Sequence, residues 1–89
     1  MNTVLIADDE PQLARDLAQR LQRCWNDIEI VAIVDNGLKA VAELGRLRPR
    51  YAFLDIRMPG LNGLEVAAVA GGTHVVFVTA YEEYAVAAF

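Results

Sequence analysis

Three acids and one hydroxyl stand at the ends of apolar segments. Asp8 and Asp9 follow the run VLIA. Asp55 follows YAFL, and Thr79 ends the run VVFVT. Burying an unpaired carboxylate is too unfavourable to be tolerated, so each acid must be paired, coordinated or used. Carboxylates that lie close together also repel, which raises the pKa of at least one of them unless a cation is present.

These residue types are suited to phosphoryl chemistry. Mg²⁺ prefers oxygen ligands and is often held by one or two carboxylates and a phosphoryl oxygen. We therefore predict an acidic Mg²⁺ pocket in which one carboxylate attacks phosphorus to form an aspartyl phosphate. Thr79 would donate a hydrogen bond to a phosphoryl oxygen. In the alternative, Asp8 and Asp9 merely cap the following helix, which leaves Asp55 and Thr79 unexplained.

An alternation of strands and helices would bring these side chains together. Short apolar runs predict buried strands at 3–7, 28–34, 51–56 and 75–79. Apolar residues at helical spacing predict helices at 11–25, 38–47, 64–70 and 82–89. This order predicts an α/β fold with a parallel sheet and helices on both of its faces. The carboxyl ends of such strands form one edge, where the site is expected.

The helical spacing also predicts which side chains face the sheet. In the first helix these are Leu13, Leu17, Leu21 and Cys24, with Cys24 as a buried cysteine. In the second helix they are Leu38, Val41, Ala42 and Leu44. His74 opens the fourth strand at the opposite edge from the acids, where we expect a structural or solvated role.

The composition excludes several classes of protein. A chain of 89 residues makes one small domain, and 12 acidic against 8 basic residues give a net charge of −4. Without a basic stripe, direct binding of nucleic acid is not expected. No apolar run is long enough to span a membrane, and the N-terminus lacks a basic signal region. A lone cysteine excludes an internal disulfide. We expect a cytoplasmic protein.

Three segments together resemble the receiver domain of two-component response regulators. They are IADDE (6–10), LDIRMPGLNGLEV (54–66) and FVTAYEEYAVAAF (77–89), the last being most similar to LytTR-type regulators. The resemblance implies one receiver domain over residues 1–89, with a flavodoxin-like, doubly wound sheet in the strand order 2-1-3-4. It also implies that phosphorylation switches an output, which is exerted through a DNA-binding domain outside this chain.

The resemblance assigns a role to each candidate residue. Asp55 matches the acceptor of a phosphoryl group from a sensor histidine kinase. Asp9 and Asp55 match side-chain ligands of Mg²⁺, with Asp8 reaching the ion through water. Arg57 matches the position whose backbone carbonyl completes the metal site, and Thr79 matches the switch hydroxyl. Further matches are the loop residues Pro59, Gly60 and Gly63, and Tyr81, which would relay the switch or simply pack.

The match is incomplete at the C-terminal end. The family has a fifth strand and helix, and a lysine that pairs with the phosphoryl group, whereas this chain ends at Phe89. Its only lysine, Lys39, is predicted to be a solvated residue of the second helix. We therefore expect impaired phosphorylation. We also expect a homodimer or larger oligomer formed through the exposed edge of the fourth strand and the fourth helix.

Other functions remain open. The main alternative is a receiver-like module that acts by oligomerisation and is not phosphorylated. An Asp-nucleophile phosphohydrolase would need an acid two residues after the nucleophile, where Arg57 stands. A flavin or nucleotide binder would need a glycine-rich loop after the first strand. We do not expect an enzyme beyond self-phosphotransfer and autodephosphorylation.

Overall fold

The computed structural model describes residues 1–78 of the chain, in which strands and helices alternate. The strands are β1 (Asn2–Ala7), β2 (Ile28–Val34), β3 (Tyr51–Leu54) and β4 (His74–Phe77). The helices are α1 (Pro11–Cys24), α2 (Gly37–Leu47) and α3 (Gly63–Ala68). The fourth predicted helix, Thr79 and Tyr81 lie outside the described residues.

The four strands form one parallel sheet in the order β2-β1-β3-β4, which confirms the predicted topology. Ala7 at the end of β1 is paired with Leu54 at the end of β3. Leu54 is in turn paired with Phe77, the last residue of β4. These three strands therefore end at the same edge, here called the carboxyl edge; the opposite one is the amino edge.

β1 lies between two hydrophobic cores, and its side chains alternate between them. Leu5 and Ala7 belong to a core formed with α2 and α3. Val4 and Ile6 belong to a second core formed with α1. All four side chains are almost completely buried. Helices therefore cover both faces of the sheet, as the alternation of elements predicted.

The face that α1 turns to the sheet differs from the predicted one. Its buried residues are Ala14 and Ala18, while Leu13 is 46% exposed and Cys24 is exposed as well. The prediction that Leu13 and Cys24 face inward was wrong. Leucine spacing located the helix but not the centre of its buried stripe. The small alanines occupy that centre and belong to the core that α1 forms with β1.

α2 shows the same kind of difference. Gly37, Ala40 and Leu44 are buried, whereas Leu38 is 65% exposed and Ala42 is exposed. The inward assignment of Leu38 and Ala42 was therefore wrong, although that of Leu44 is confirmed. Small residues again line the contact, because the start of α2 approaches a neighbouring loop too closely for a large side chain.

The strand limits also shift slightly. β3 ends at Leu54, so the acid that follows it already lies in the loop, and β4 begins at His74. His74 is exposed at the amino edge and its ring lies 5.4 Å from that of Tyr51. This confirms the expected position of the histidine. None of the helices between residues 1 and 78 has the length and apolar character needed to cross a membrane.

Candidate functional site

Three carboxylates meet at the carboxyl edge. Asp8 and Asp9 follow β1, and Asp55 follows the neighbouring strand β3. One carboxylate oxygen from each residue lies within 4.8 Å of the others. Asp8 is buried, Asp55 is partly buried and Asp9 is exposed. The cluster thus has a fixed inner side and a side that is open to solvent.

Backbone hydrogen bonds fix two of these acids to the ends of the sheet. The Asp8 N–H donates to the carbonyl of Val34 at 3.0 Å, and the Asp55 N–H donates to the carbonyl of Ala7 at 2.8 Å. The Asp8 carboxylate also accepts from the N–H of Glu10 at 2.9 Å. Their positions are therefore set by strand pairing rather than by a flexible loop.

The capping alternative does not hold for α1. The residue at the N-cap of this helix is Glu10, and no side chain forms a cap hydrogen bond there. The Asp8 carboxylate accepts from the N–H of Glu10, which is the N-cap residue and not part of the first helical turn. The acid pair therefore does not serve as the N-cap of α1.

The environment raises the pKa of Asp55 to about 6, from an ordinary value of 3.8. Burial is the largest cause, because it removes water from the charged form. The negative charges of Asp8 and Asp9 and a hydrogen bond with the Asp9 side chain act in the same direction. The N–H of Arg57 opposes them by donating to Asp55 Oδ1 at 3.2 Å.

This donor set fits a hard divalent cation. Three carboxylate oxygens converge, and their mutual repulsion is what a bound cation would relieve. A cavity of about 490 Å³ begins at Asp9 and continues along Arg57, Pro59 and Glu65. It gives the exposed side of the cluster room for water or for a phosphoryl group.

The loop after Asp55 is shaped by close backbone packing. Gly60 has a left-handed backbone with φ of 76°, which favours glycine. At Gly63, an added Cβ would collide with the carbonyl of Asp55, and its Cβ position is 2.9 Å from the Cα of Ile56. The Gly63 N–H donates to the carbonyl of Ile56 at 2.8 Å. Gly63 thus allows the start of α3 to pack directly against the backbone of Asp55 and Ile56.

The sequence analysis missed a capping box at the start of α3. The Asn62 side chain accepts from the Glu65 N–H at 2.9 Å, while the Glu65 side chain accepts from the Asn62 N–H at 3.0 Å. The signal was present as Asn-x-x-Glu before an apolar run. This box closes the loop that begins at Asp55.

A contact between α2 and the same loop was also missed. The Gly37 N–H donates to the carbonyl of Pro59 at 3.2 Å. A Cβ on Gly37 would collide with the backbone of Leu61. No local sequence pattern predicts this contact, because Gly37 and the loop at residues 59–61 are far apart in sequence.

Lys39, Arg57 and Thr79 complete the set of predicted residues. Lys39 forms an exposed ion pair with Asp35 at 3.1 Å, which confirms the prediction that it is solvated. Arg57 contributes its N–H to Asp55 within the described residues. Thr79, the predicted switch hydroxyl, falls beyond residue 78.

Comparison with protein families gives one match over most of the chain. The model of the response regulator receiver domain matches residues 4–89. An uncharacterized response regulatory protein of Yersinia pestis is 48% identical over 92 residues, which cover 100% of this chain and 38% of that protein. The transcriptional regulatory protein BtsR of Escherichia coli is 42% identical with the same coverage. The chain thus spans 38% of the length of these curated relatives.

Comparison with solved structures also gives response regulators. A DNA-binding response regulator of the LuxR family from Staphylococcus aureus has a TM-score of 0.84 at 32% identity, covering 98% of this chain and 79% of that one. The signal receiver domain of the putative response regulator NarL from Mycobacterium tuberculosis has a TM-score of 0.82 at 31% identity, covering 96% and 71%. Both confirm the flavodoxin-like order of strands. The LytTR subtype stays a prediction.

Proposed function

Because the chain belongs to the response regulator receiver domain family, we propose that it is the phosphoacceptor of a two-component phosphorelay, with Asp55 as the acceptor. The observation that carries this proposal is the convergence of three carboxylates within 4.8 Å at the carboxyl edge. The pKa of Asp55 is raised to about 6, and the residue directly follows β3, an inner strand of the sheet.

The chemistry follows from the position of Asp55. A carboxylate oxygen attacks the phosphorus atom of a phosphohistidine on the sensor kinase and forms a new O–P bond. The P–N bond breaks, and its electron pair stays on the histidine nitrogen, which takes up a proton. With a pKa of about 6, Asp55 is ionised at neutral pH and is more basic than an ordinary aspartate. The Arg57 N–H orients one of its oxygens.

The acids suit Mg²⁺ as a cofactor. We expect Asp9 and Asp55 to hold the ion, with Asp8 beside it and the backbone carbonyl of Arg57 as a further ligand. When bound, Mg²⁺ supplies positive charge that offsets the repulsion among the carboxylates and the charge of the phosphoryl oxygens. The Glu10 N–H donates to Asp8 Oδ1 and so holds this side chain in place at the buried side of the site.

The downstream role is a switch. We expect the Thr79 hydroxyl to donate to the phosphoryl group and to change the surface that an output domain reads. Relatives named as transcriptional regulatory proteins favour transcription as that output. We expect the chain to act in the cytoplasm, where such an output operates, and to perform only self-phosphotransfer and autodephosphorylation, since receiver domains are generally not classical enzymes.

A second proposal concerns self-association. Among the described strands β4 is an outer strand, paired only with β3, and Val76 is 40% exposed. An open strand of this kind can pair with a second copy of the chain. We expect a homodimer at micromolar concentration, which sedimentation would detect. A monomeric mass would contradict this proposal and leave the phosphoryl transfer unaffected.

Mass spectrometry after incubation with acetyl phosphate and Mg²⁺ tests the phosphoacceptor. We expect one phosphoryl adduct on the native chain and none on Asp55→Asn. The matched control is Asp35→Asn, which removes an exposed acid that pairs with Lys39 outside the cluster; its adduct should persist. An adduct that survives Asp55→Asn would refute the assignment. No adduct on any variant would instead favour the oligomerisation module.

A further inference from the structure

Positive charge collects at the amino edge, opposite the acids. The segment RLRPR (46–50) carries three arginines and no acid. It leads from the end of α2 into β3, so it turns at the amino edge. The proposed phosphoryl transfer uses none of these arginines. This local excess of positive charge contrasts with the net charge of −4 of the whole chain.

A cleft of about 570 Å³ opens between this segment and the loop after α3. Arg48 and Arg50 line one side, and the loop 71–73 lines the other. Its floor consists of Leu44, Pro49 and Ala70, which are buried. No acidic side chain between residues 1 and 78 lines this cleft. It therefore combines an apolar floor with a cationic rim, and its volume is typical of small-molecule sites.

The two lining arginines differ from their neighbour Arg46 because neither side chain has a partner among residues 1–78. Arg46 is bound to Glu43, with 2.6 Å between Nη2 and Oε2. The side chains of Arg48 and Arg50 form no hydrogen bond or ion pair with any residue of the described range 1–78. Within the same range, the N–H groups of residues 71 and 72 have no acceptor either. The cleft therefore offers donors that no described group uses.

The walls of the cleft are joined by hydrogen bonds that need no ligand. Thr73 Oγ1 donates to the carbonyl of Pro49 at 2.7 Å. The Arg50 N–H donates to Thr3 Oγ1 at 3.0 Å, and the Arg50 carbonyl accepts from the His74 N–H at 2.9 Å. The backbone of both walls is thus fixed to the sheet before anything binds.

Arg48 occupies a conformation that favours a different residue. It ends α2 in the left-handed region, with φ of 45° and ψ of 58°. Glycine is the usual residue at such a helix end, and another residue there costs about 1 kcal/mol. An arginine at this position suggests that its side chain has a use that glycine could not serve.

We propose that this cleft binds a small molecule that carries a phosphoryl group, of the phosphomonoester class. The planar guanidinium groups of Arg48 and Arg50 would bind the phosphoryl oxygens in pairs. The organic part would lie on Leu44, Pro49 and Ala70. Such a ligand would use both the apolar floor and the two cations that have no partner within residues 1–78, whereas a bare anion would use only the cations.

Titration of phenyl phosphate into the ¹⁵N-labelled 89-residue chain tests this proposal. The buffer contains EDTA, so that the acid cluster cannot bind phosphate through a metal. We expect the amide signals of Gly71, Gly72 and Thr73 to shift, while those of Gly60 and Gly63 at the carboxyl edge stay in place. Inorganic phosphate should bind more weakly at the same amides. Shifts confined to Gly60 and Gly63, or equal affinity for both probes, would overturn the proposal.

Three variants separate binding from folding. Arg48→Gly suits the left-handed backbone, so it should keep or raise stability to urea while affinity falls at least about tenfold. Arg50→Gln should weaken binding by a similar factor. The matched control, Arg46→Gln, removes an arginine that is already paired with Glu43, and its affinity should not change. Unchanged affinity in Arg48→Gly and Arg50→Gln would refute the site.

Discussion

Replacing Asp55 by asparagine should stabilise the protein at neutral pH. The substitution keeps the shape of the side chain and removes a charge that the fold places close to Asp8 and Asp9. Since Asp55 has a pKa of about 6 in the folded chain and an ordinary value of 3.8, its ionised form is disfavoured in the folded state. The variant would lose the acceptor and gain stability.

The magnitude follows from linkage. A pKa difference of about 2 corresponds to about 3 kcal/mol, and solvent screening of this partly exposed group reduces that figure to about 1–2 kcal/mol. Below pH 3.8 the carboxyl is protonated in both states and contributes no penalty. As pH rises from 3.8 to about 6, the unfolded state loses its proton first, so stability falls. Above pH 6 the full penalty is present.

Urea unfolding between pH 4 and 8, without divalent metal, measures this effect. Asp55→Asn should exceed the native chain by about 1–2 kcal/mol at pH 7, and the gap should close near pH 4. Asp27→Asn is the control, because this exposed side chain lies away from the cluster. Mg²⁺ should narrow the gap by stabilising the native chain. A less stable Asp55→Asn, or a gap that does not depend on pH, would refute the reasoning.

Three further predictions concern the loop and the core, each checked by urea unfolding. Gly63→Ala forces a Cβ against the backbone carbonyl of Asp55 and should cost about 1–3 kcal/mol. Gly45→Ala, in the last turn of α2 and with open space around it, should instead stabilise by about 0.5–1 kcal/mol; equal effects would contradict the packing argument. Asn62→Ala removes the N-cap acceptor of α3 and should cost about 1 kcal/mol; no loss would mean that the cap is not used. Leu54→Ala should cost about 2–5 kcal/mol because the residue is fully buried, while Leu38→Ala, 65% exposed, should cost under about 0.5 kcal/mol.

The strands and the acid cluster could be predicted because both depend on short-range patterns. Apolar runs of four to seven residues locate buried strands, and parallel pairing then forces their carboxyl ends to one edge. The meeting of Asp8, Asp9 and Asp55 follows from that geometry alone. Distances within the cluster, and hence the pKa of Asp55, depend on burial that no sequence spacing expresses.

The helix faces and the loop contacts were less predictable, for two physical reasons. Leucine spacing detects a helix but ranks large apolar residues above small ones. At the actual contacts, backbone approach favours Ala14, Ala18 and Gly37. The bond from Gly37 to Pro59 joins segments that are remote in sequence. Only the assembled fold reveals why a glycine is required there.

The alternation of β1 between the two cores has a consequence for the cooperativity of unfolding. Leu5 completes one core and Ile6, the next residue, completes the other, so neither core exists without this strand. The two cores, one on each face of the sheet, should therefore not unfold independently. We expect a single cooperative unfolding transition, with the slowest-exchanging backbone amides concentrated in β1 and its two neighbours. Mutations on either side of the sheet would then lower one common barrier to opening.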